Sequence, residues 1–318
     1  MSKGFVILAL GHSYYGRMAL NLAVSIKASD TSANVTLLHS KGMLDPFNRD
    51  ERAFFSNGDI NGDYQLSCIE VDESLYTFKG NKEYQMAKCS VYDLSPYDQT
   101  VYLDADSIWL ETLKPDQLFA KCWNNPVLFQ CINEWDIQKE WGCLWTVQKD
   151  KPNEGLKQIR ELYGITDHRT IYEMQSSFLY FEKSRVAKAF FDTARECYIK
   201  RPFHFWEWNG GIPDELVFNI STAINNIKLP EFPYTPLCFN DYTWNFKGDP
   251  KRDCSFGKRD TIFNKYFAFS MAGNTNSSNA ITLYDSMVKS AYSKFISRIR
   301  FPWFWKQKRQ FISTREAA

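Results

Sequence analysis

The sequence predicts an α/β fold, and three observations carry that prediction. Short apolar runs of β-forming residues alternate along the chain with segments whose apolar residues recur at helical spacing. The first such pair opens the chain, where the apolar run at residues 5–10 is followed by Gly11 and then by a helical pattern. A hydrophobic content of 44% with 16% aromatic residues over 318 positions is enough for the core of one large or two modest domains.

The elements follow in order. FVILAL (5–10) reads as a fully buried strand, followed by a glycine-containing turn and a helix over 15–28 with Met18, Leu22 and Ser25 or Ile26 on one face. NVTLLHS (34–40) and YQLSCIEV (64–71) read as the next two strands, with PFNRDERAFFS (46–56) as a helix between them. NKEYQMAKCSVYDL (81–94) reads as a helix with a stripe of Tyr84, Ala87, Val91 and Leu94. Lys88 stands beside that stripe, a position from which lysine stems usually snorkel to water. VYLDADSIWL (101–110) follows the turn-like Ser-Pro-Tyr-Asp at 95–98 and reads as a strand that ends in two carboxylates. TLKPDQLFA (112–120) starts a helix, and the tryptophan-rich stretch 122–150 reads as loops and short strands. SSFLYFE (176–182) is a strand and RVAKAFFDTARECYI (185–199) an amphipathic helix. PDELVFNISTAIN (213–225) is a second helix, with proline early and acids in the first turn. IKLPEFPYTPL (227–237) is a proline-spaced connection, and YFAFSMAG (266–273) a late strand. No linker divides residues 1–285, so they are expected to form one domain, with a basic aromatic tail at 286–318.

Several function classes are disfavoured. A net charge of +1 predicts neither a nucleic-acid nor an acidic partner for the body of the protein. The eight cysteines include no C-x-x-C pair and no zinc-like spacing with the four histidines, which suits reduced thiols in a cytosolic protein. Six consecutive apolar residues near the N-terminus are too few for a signal h-region or a membrane span. DINGDYQLSCIE (59–70) places acids at calcium-loop positions, but Tyr64 stands where that loop needs glycine. Residues 11–16 are not G-x-G-x-x-G, so the dinucleotide fingerprint is missing. Neither His12 nor His168 has a neighbouring Ser or Cys constellation.

The triplet Asp104-Ala105-Asp106 is the chief candidate site. A chain with 21 aspartates produces such a triplet by composition alone, so its setting matters more than its letters. Strand alternation would turn both carboxylates to one side, at the strand end where α/β sheets place ligands. Two converging carboxylates call for a cation.

With these elements in order, the chain resembles the retaining nucleotide-sugar glycosyltransferases of the GT-A fold, the group that contains glycogenin and bacterial lipooligosaccharide galactosyltransferases. MAKCSVYDLSPYDQTVYLDADSIWLETL matches the family's K-x-x-x-x-x-L-x-x-Y-x-x-x-x-x-L-D-A-D block at Lys88, Leu94, Tyr97, Leu103, Asp104, Ala105 and Asp106. FVILALGHSYYGRMALNLAVSI resembles the opening strand and helix, whose strand end (here Leu8, Ala9 and Leu10) and tyrosine (here Tyr14) cup the nucleotide base. MQSSFLYFE puts Gln175 and Ser176 at the Asn and Ser of F-N-S-G. IPDELVFN matches D-Q-x-x-L-N at Asp214 and Asn219, with Glu215 in place of Gln, and Trp244-Asn245 matches a later W-N. The matches span about residues 5–275. The family's closing H-F-x-G-x-x-K-P-W segment is altered: Ser270 takes the place of its metal-ligating His and Asn276 stands near its Lys.

The resemblance implies a Rossmann-like mixed sheet flanked by helices and the transfer of a hexose from a nucleotide diphosphate sugar, a UDP-sugar by analogy, to a hydroxyl with retention. It implies a divalent cation, Mn²⁺ or Mg²⁺, on Asp104 and Asp106, completed by water and pyrophosphate oxygens or by a group such as Asn274. Lys88 would add positive charge near the donor. Asp214, Glu215 and Gln175 would flank the sugar, and Glu215 could form a covalent intermediate where the family has a neutral amide. Acids in a first helical turn also complement the helix dipole and need no further role.

A binding module without turnover is the alternative from another class, and a glycoside hydrolase is disfavoured because Asp104 and Asp106 are too close in sequence to flank a sugar. From Lys289 to Arg315 eight Lys or Arg stand among Phe and Trp with no acid, a pattern suited to an anionic membrane surface, to docking on the domain, or to nucleic acid. The acceptor is expected to be a glycan of lipooligosaccharide type, another glycan, a protein or a modified nucleic acid, and the protein to work in the cytoplasm, at the inner face of a membrane if the tail binds there.

Overall fold

The computed structural model describes residues 1–47, 66–110, 112–135, 152–200, 212–230, 232, 234, 236–244, 266–271 and 277–298. The protein is α/β, with a central mixed sheet flanked by helices, as the sequence predicts. It divides into two compact units. A middle unit comprises Asp72–Thr100 and Asn124–Phe232, and a terminal unit comprises Ser2–Val71, Val101–Trp123 and Pro233–Ala318. The strand Gln99–Asp104 runs from the first into the second.

In the terminal unit, strands Lys3–Ala9, Val35–His39 and Ser67–Glu70 pair in parallel, with Phe5 opposite Val35 and Thr36 opposite Ser67. Both faces of a parallel strand are covered, which is why the first two read as continuous apolar runs rather than alternating ones. Helix Ser13–Ser29 follows the first strand; the His12 side chain accepts from Tyr14 N at its start and Asp30 N donates to Ile26 O at its end. Every residue from Met18 to Ala28 is buried, so this helix is covered on more than one face. Two polar side chains on it accept from neighbours: Ser25 Oγ from Trp109 N at 2.9 Å, and Asn21 Oδ1 from Tyr292 OH at 3.1 Å. Tyr292 belongs to helix Ser278–Arg298, in which Ala280, Leu283, Tyr284, Met287, Val288, Ala291 and Phe295 are buried. Their spacing is an unbroken helical stripe. Residues 286–298 of the expected tail are thus the last turns of a packed helix, and residues 299–318 lie outside the described residues.

The middle unit is built on an antiparallel pair, Val127–Trp135 with Ile171–Glu182, and on helices Arg185–Lys200 and Asp214–Ile224. Aromatic rings fill its core: Phe190 stacks on Phe218 with centroids 5.3 Å apart, and Phe181 meets Phe191 edge-on at 4.9 Å. Ser221 Oγ donates to Phe190 O at 2.6 Å and so ties the two helices together.

Residues 81–94 differ from their sequence expectation in the kind of helix they form. They are not one α-helix: Asn81–Lys82 pairs with Thr77–Phe78 around a turn in which Lys79 and Gly80 have φ of 49° and 85°. A 3₁₀ helix Tyr84–Ser90 follows, then one α turn, Val91–Leu94. Met86, Ala87, Lys88, Cys89 and Ser90 are all buried in succession, so the segment has no solvent face to impose a 3.6-residue period. Lys88 consequently does not snorkel. The expected helix 46–56 beyond Phe47, most of the calcium-loop-like segment, and residues 136–151 of the tryptophan-rich stretch lie outside the described residues.

Candidate functional site

The predicted site residues fall into two clusters, one in each unit. In the terminal unit, strand Gln99–Asp104 stops at its first carboxylate, Ala105 and Asp106 form a turn, and strand Ser107–Trp109 follows. Strand alternation therefore pairs Asp104 with Tyr102 rather than with Asp106: Tyr102 OH donates to Asp104 Oδ1 at 2.6 Å. Asp106 is buried, and its backbone carbonyl accepts from Met271 N at 3.1 Å. Ser107 and Ile108 pair antiparallel with Ser270 and Phe269, which fixes the turn from its far side.

Ala9 and Leu10 are buried at the end of the first strand, Leu8 is half-buried, and Gly11 follows with φ of 82°. Tyr14 packs between His12 and Tyr15, its ring centroid 4.7 Å and 4.2 Å from theirs. Burial pushes the Tyr15 phenol up, and a hydrogen bond with Tyr14 and the charges of Asp106 and Asp104 push it further. Tyr284 is pushed well up by burial, against a lowering hydrogen bond with Asn21 and with a further rise from Asp106. Both phenols therefore stay protonated near neutrality. Sequence reasoning missed Tyr15, although its place next to Tyr14 after the first strand was a usable signal. Among the described residues no group of three or more His, Cys, Asp or Glu is placed to hold a metal ion. Ser270, which the sequence resemblance sets at a metal-ligating His, is fully buried opposite Ser107. Asn245, Asn274 and Asn276 lie outside the described residues, and so does the Trp244 side chain.

In the middle unit Lys88 is only 9% exposed, and its Nζ lies 2.8 Å from Asp214 Oδ2 and 2.9 Å from Ser176 Oγ. Ser176 in turn donates to Glu215 Oε1 at 3.0 Å. Asp214, 4% exposed, is the first residue of helix Asp214–Ile224, where the dipole favours a carboxylate. An ammonium is held this deep in protein because a carboxylate and a hydroxyl replace its water. Cys89, next in sequence, has its thiol pushed far up by burial and then by the charge of Asp214. Asn219, one turn on, accepts from Met174 N at 3.2 Å and fixes the helix to strand Ile171–Glu182.

That strand is irregular where it matters. Its pairing with Val127–Trp135 steps from Leu179 opposite Phe129 to Gln175 opposite Gln130, so Ser176, Ser177 and Phe178 have no counterpart in the ladder. Such bulges re-aim side chains. Here Ser176 joins Lys88 and Glu215, while half-buried Gln175 stands opposite Gln130. Lys88, Asp214 and Glu215 are thus joined through Ser176, to which sequence reasoning gave no role.

No protein-family model and no curated protein matches the chain. Solved structures do. The galactosyltransferase LgtC, in complex with donor and acceptor sugar analogs, aligns with a TM-score of 0.52 at 11% identity, over 96% of this chain and 99% of its own. The WbbM bifunctional glycosyltransferase, in an apo structure, aligns with a TM-score of 0.55 at 13% identity over 96% of this chain, which spans 52% of that protein. The apo glycosyltransferase GlyE of Streptococcus pneumoniae TIGR4 aligns with a TM-score of 0.50 at 11% identity over 96% of this chain and 64% of its own. The chain has the fold of the GT-A glycosyltransferases.

Proposed function

We propose that the protein is a glycosyltransferase that moves a hexose from a nucleotide diphosphate sugar, a UDP-sugar by resemblance, to a hydroxyl of a glycan of lipooligosaccharide type, with retention. The observation that carries this reading is the Asp104-Ala105-Asp106 turn, set at the carboxyl end of a strand in a chain with the GT-A fold. Both carboxylates are hard oxygen donors suited to Mn²⁺ or Mg²⁺, and the remaining positions would be filled by water and the donor's phosphates or by a group such as Asn274. When bound, the cation supplies Lewis-acid stabilisation of the departing diphosphate. Tyr102 orients Asp104 through its hydroxyl, and Tyr14, with the strand end Leu8, Ala9 and Leu10, is assigned to the nucleotide base.

Of the two acids that open helix Asp214–Ile224, Asp214 is committed to Lys88, whereas half-buried Glu215 accepts from the Ser176 hydroxyl and stands where the resembled family has a neutral amide. Glu215 therefore takes the covalent role. Its carboxylate bonds to the anomeric carbon as the bond from that carbon to the diphosphate oxygen breaks, and the diphosphate leaves with the electron pair. The acceptor oxygen then displaces Glu215, and its proton passes to a diphosphate oxygen. Two displacements retain configuration. Gln175 is assigned to the sugar hydroxyls. The pairing of Lys88 with Asp214 leaves that couple near neutral, so Lys88 acts through local polarity rather than as a lone charge.

Ser270 in the family's His position favours a second reading, a nucleotide-sugar-binding module without turnover. Nucleotide release from a panel of UDP-sugars with Mn²⁺, run beside thermal-shift binding, separates the two. Release from at least one sugar supports the enzyme, and saturable binding without release from any donor or to any acceptor supports the module. A place at the inner face of a membrane is proposed from the basic aromatic residues after Lys289, and equal liposome flotation with and without 299–318 would reject a membrane role for those last residues. Among the described residues no helix is long and apolar enough to cross a membrane.

A further inference from the structure

We propose that Ser176 is a positioning residue that transmits the polarity of Lys88 to Glu215; the proposal rests on the glycosyltransferase reading above. The direction of the two hydrogen bonds is dictated by chemistry. A lysine ammonium has donors only, so Ser176 Oγ accepts from Lys88 Nζ at 2.9 Å. The single hydroxyl proton is then left for Glu215 Oε1, 3.0 Å away. An oxygen that receives a hydrogen bond from a cationic donor polarises its own proton, so the bond on Glu215 is strengthened.

Three features hold the relay in place. Ser176 is 1% exposed, so water does not compete for its proton. Lys88 is fixed from its other side by Asp214 at 2.8 Å. Ser176, Ser177 and Phe178 lie at a register shift in the pairing with Val127–Trp135, and irregularities of this kind recur where a side chain must be aimed. The consequence is a carboxylate held in one rotamer with Oε1 engaged, an orientation that favours one attacking oxygen. Ser176 itself touches no reacting atom in this scheme.

The test compares wild-type protein with Ser176→Ala, Ser176→Thr and Glu215→Gln, and with Ser176→Ala in the Glu215→Gln background, by donor turnover and melting temperature. Ser176→Ala is expected to lower kcat on the order of 10- to 100-fold, the cost of a loosened catalytic group, with KM changed less than about threefold. Ser176→Thr, which keeps the hydroxyl, restores at least about a third of wild-type kcat. Against a neutral amide the ammonium's polarity matters less, so Ser176→Ala in the Glu215→Gln background lowers kcat by less than about threefold. A Ser176→Ala protein with wild-type kcat overturns the proposal, and so does an equal fold-loss in both backgrounds, which marks a purely structural serine. Wild-type protein that turns over no donor overturns the glycosyltransferase reading itself, and this inference with it.

Discussion

Each unit of the molecule holds a close pair of acids, and the two pairs are treated in opposite ways. In the terminal unit the Tyr102 phenol donates to Asp104, and the Tyr15 and Tyr284 phenols feel the charge of Asp106. In the middle unit Asp214 is matched by a buried ammonium and Glu215 by a serine hydroxyl. Phenols orient carboxylates without cancelling their charge, which leaves the first pair suited to an external cation. An internal ammonium cancels the charge of Asp214, and Glu215 is the acid proposed to react with the sugar. Environment, more than residue type, separates the roles.

The largest expected effect lies in the middle unit. Lys88→Met leaves the Asp214 carboxylate buried without its cation and should destabilise the protein by about 3–5 kcal/mol, read by urea unfolding. Replacing both partners, as Lys88→Met with Asp214→Leu, should recover most of that loss. A Lys88→Met protein as stable as wild type would remove the contrast between the units. Next comes Asp106→Asn in the terminal unit, which should slow Mn²⁺-dependent nucleotide release by about 10²–10³-fold, as for loss of one electrostatic contact in a preorganised site. Tyr102→Phe is milder: removal of a phenol that orients a ligating carboxylate should weaken apparent Mn²⁺ affinity by about 10-fold, measured by metal titration of turnover. The smallest effect is a control outside both clusters. Lys79 sits at φ of 49° before Gly80 in a two-residue hairpin turn, and Lys79→Asn should raise stability by up to about 1 kcal/mol and leave turnover unchanged.

Much of this was legible in the sequence. The strands near 5–10 and 34–40 and the helices near 185–199 and 213–225 stand where the sequence places them, the strands because continuous burial gives continuous apolar runs and helix 185–199 because its buried residues form one stripe. The 3₁₀ segment Tyr84–Ser90 was not legible, since five successive buried residues erase the period that distinguishes helix types. The backbone at Asp104 and Asp106 was misjudged: a strand was expected to carry both, and the chain turns after the first. Ser176 was matched to a motif serine but given no role, for a different reason. Its partners Lys88 and Glu215 are 88 and 39 positions away, a juxtaposition that only the tertiary fold reveals. Helix Ser278–Arg298 carried a readable apolar stripe, overlooked because the basic and aromatic composition beyond Lys289 drew the segment toward a tail.

The division of labour between the two pairs is tested most directly by measuring UDP-sugar affinity and turnover, with and without Mn²⁺, in Asp106→Asn and Glu215→Gln proteins. Asp106→Asn is expected to lose the Mn²⁺-dependent part of donor binding, whereas Glu215→Gln binds donor with wild-type affinity and releases nucleotide more slowly. Undiminished nucleotide release by Glu215→Gln, or metal-dependent donor binding untouched by Asp106→Asn, would contradict it.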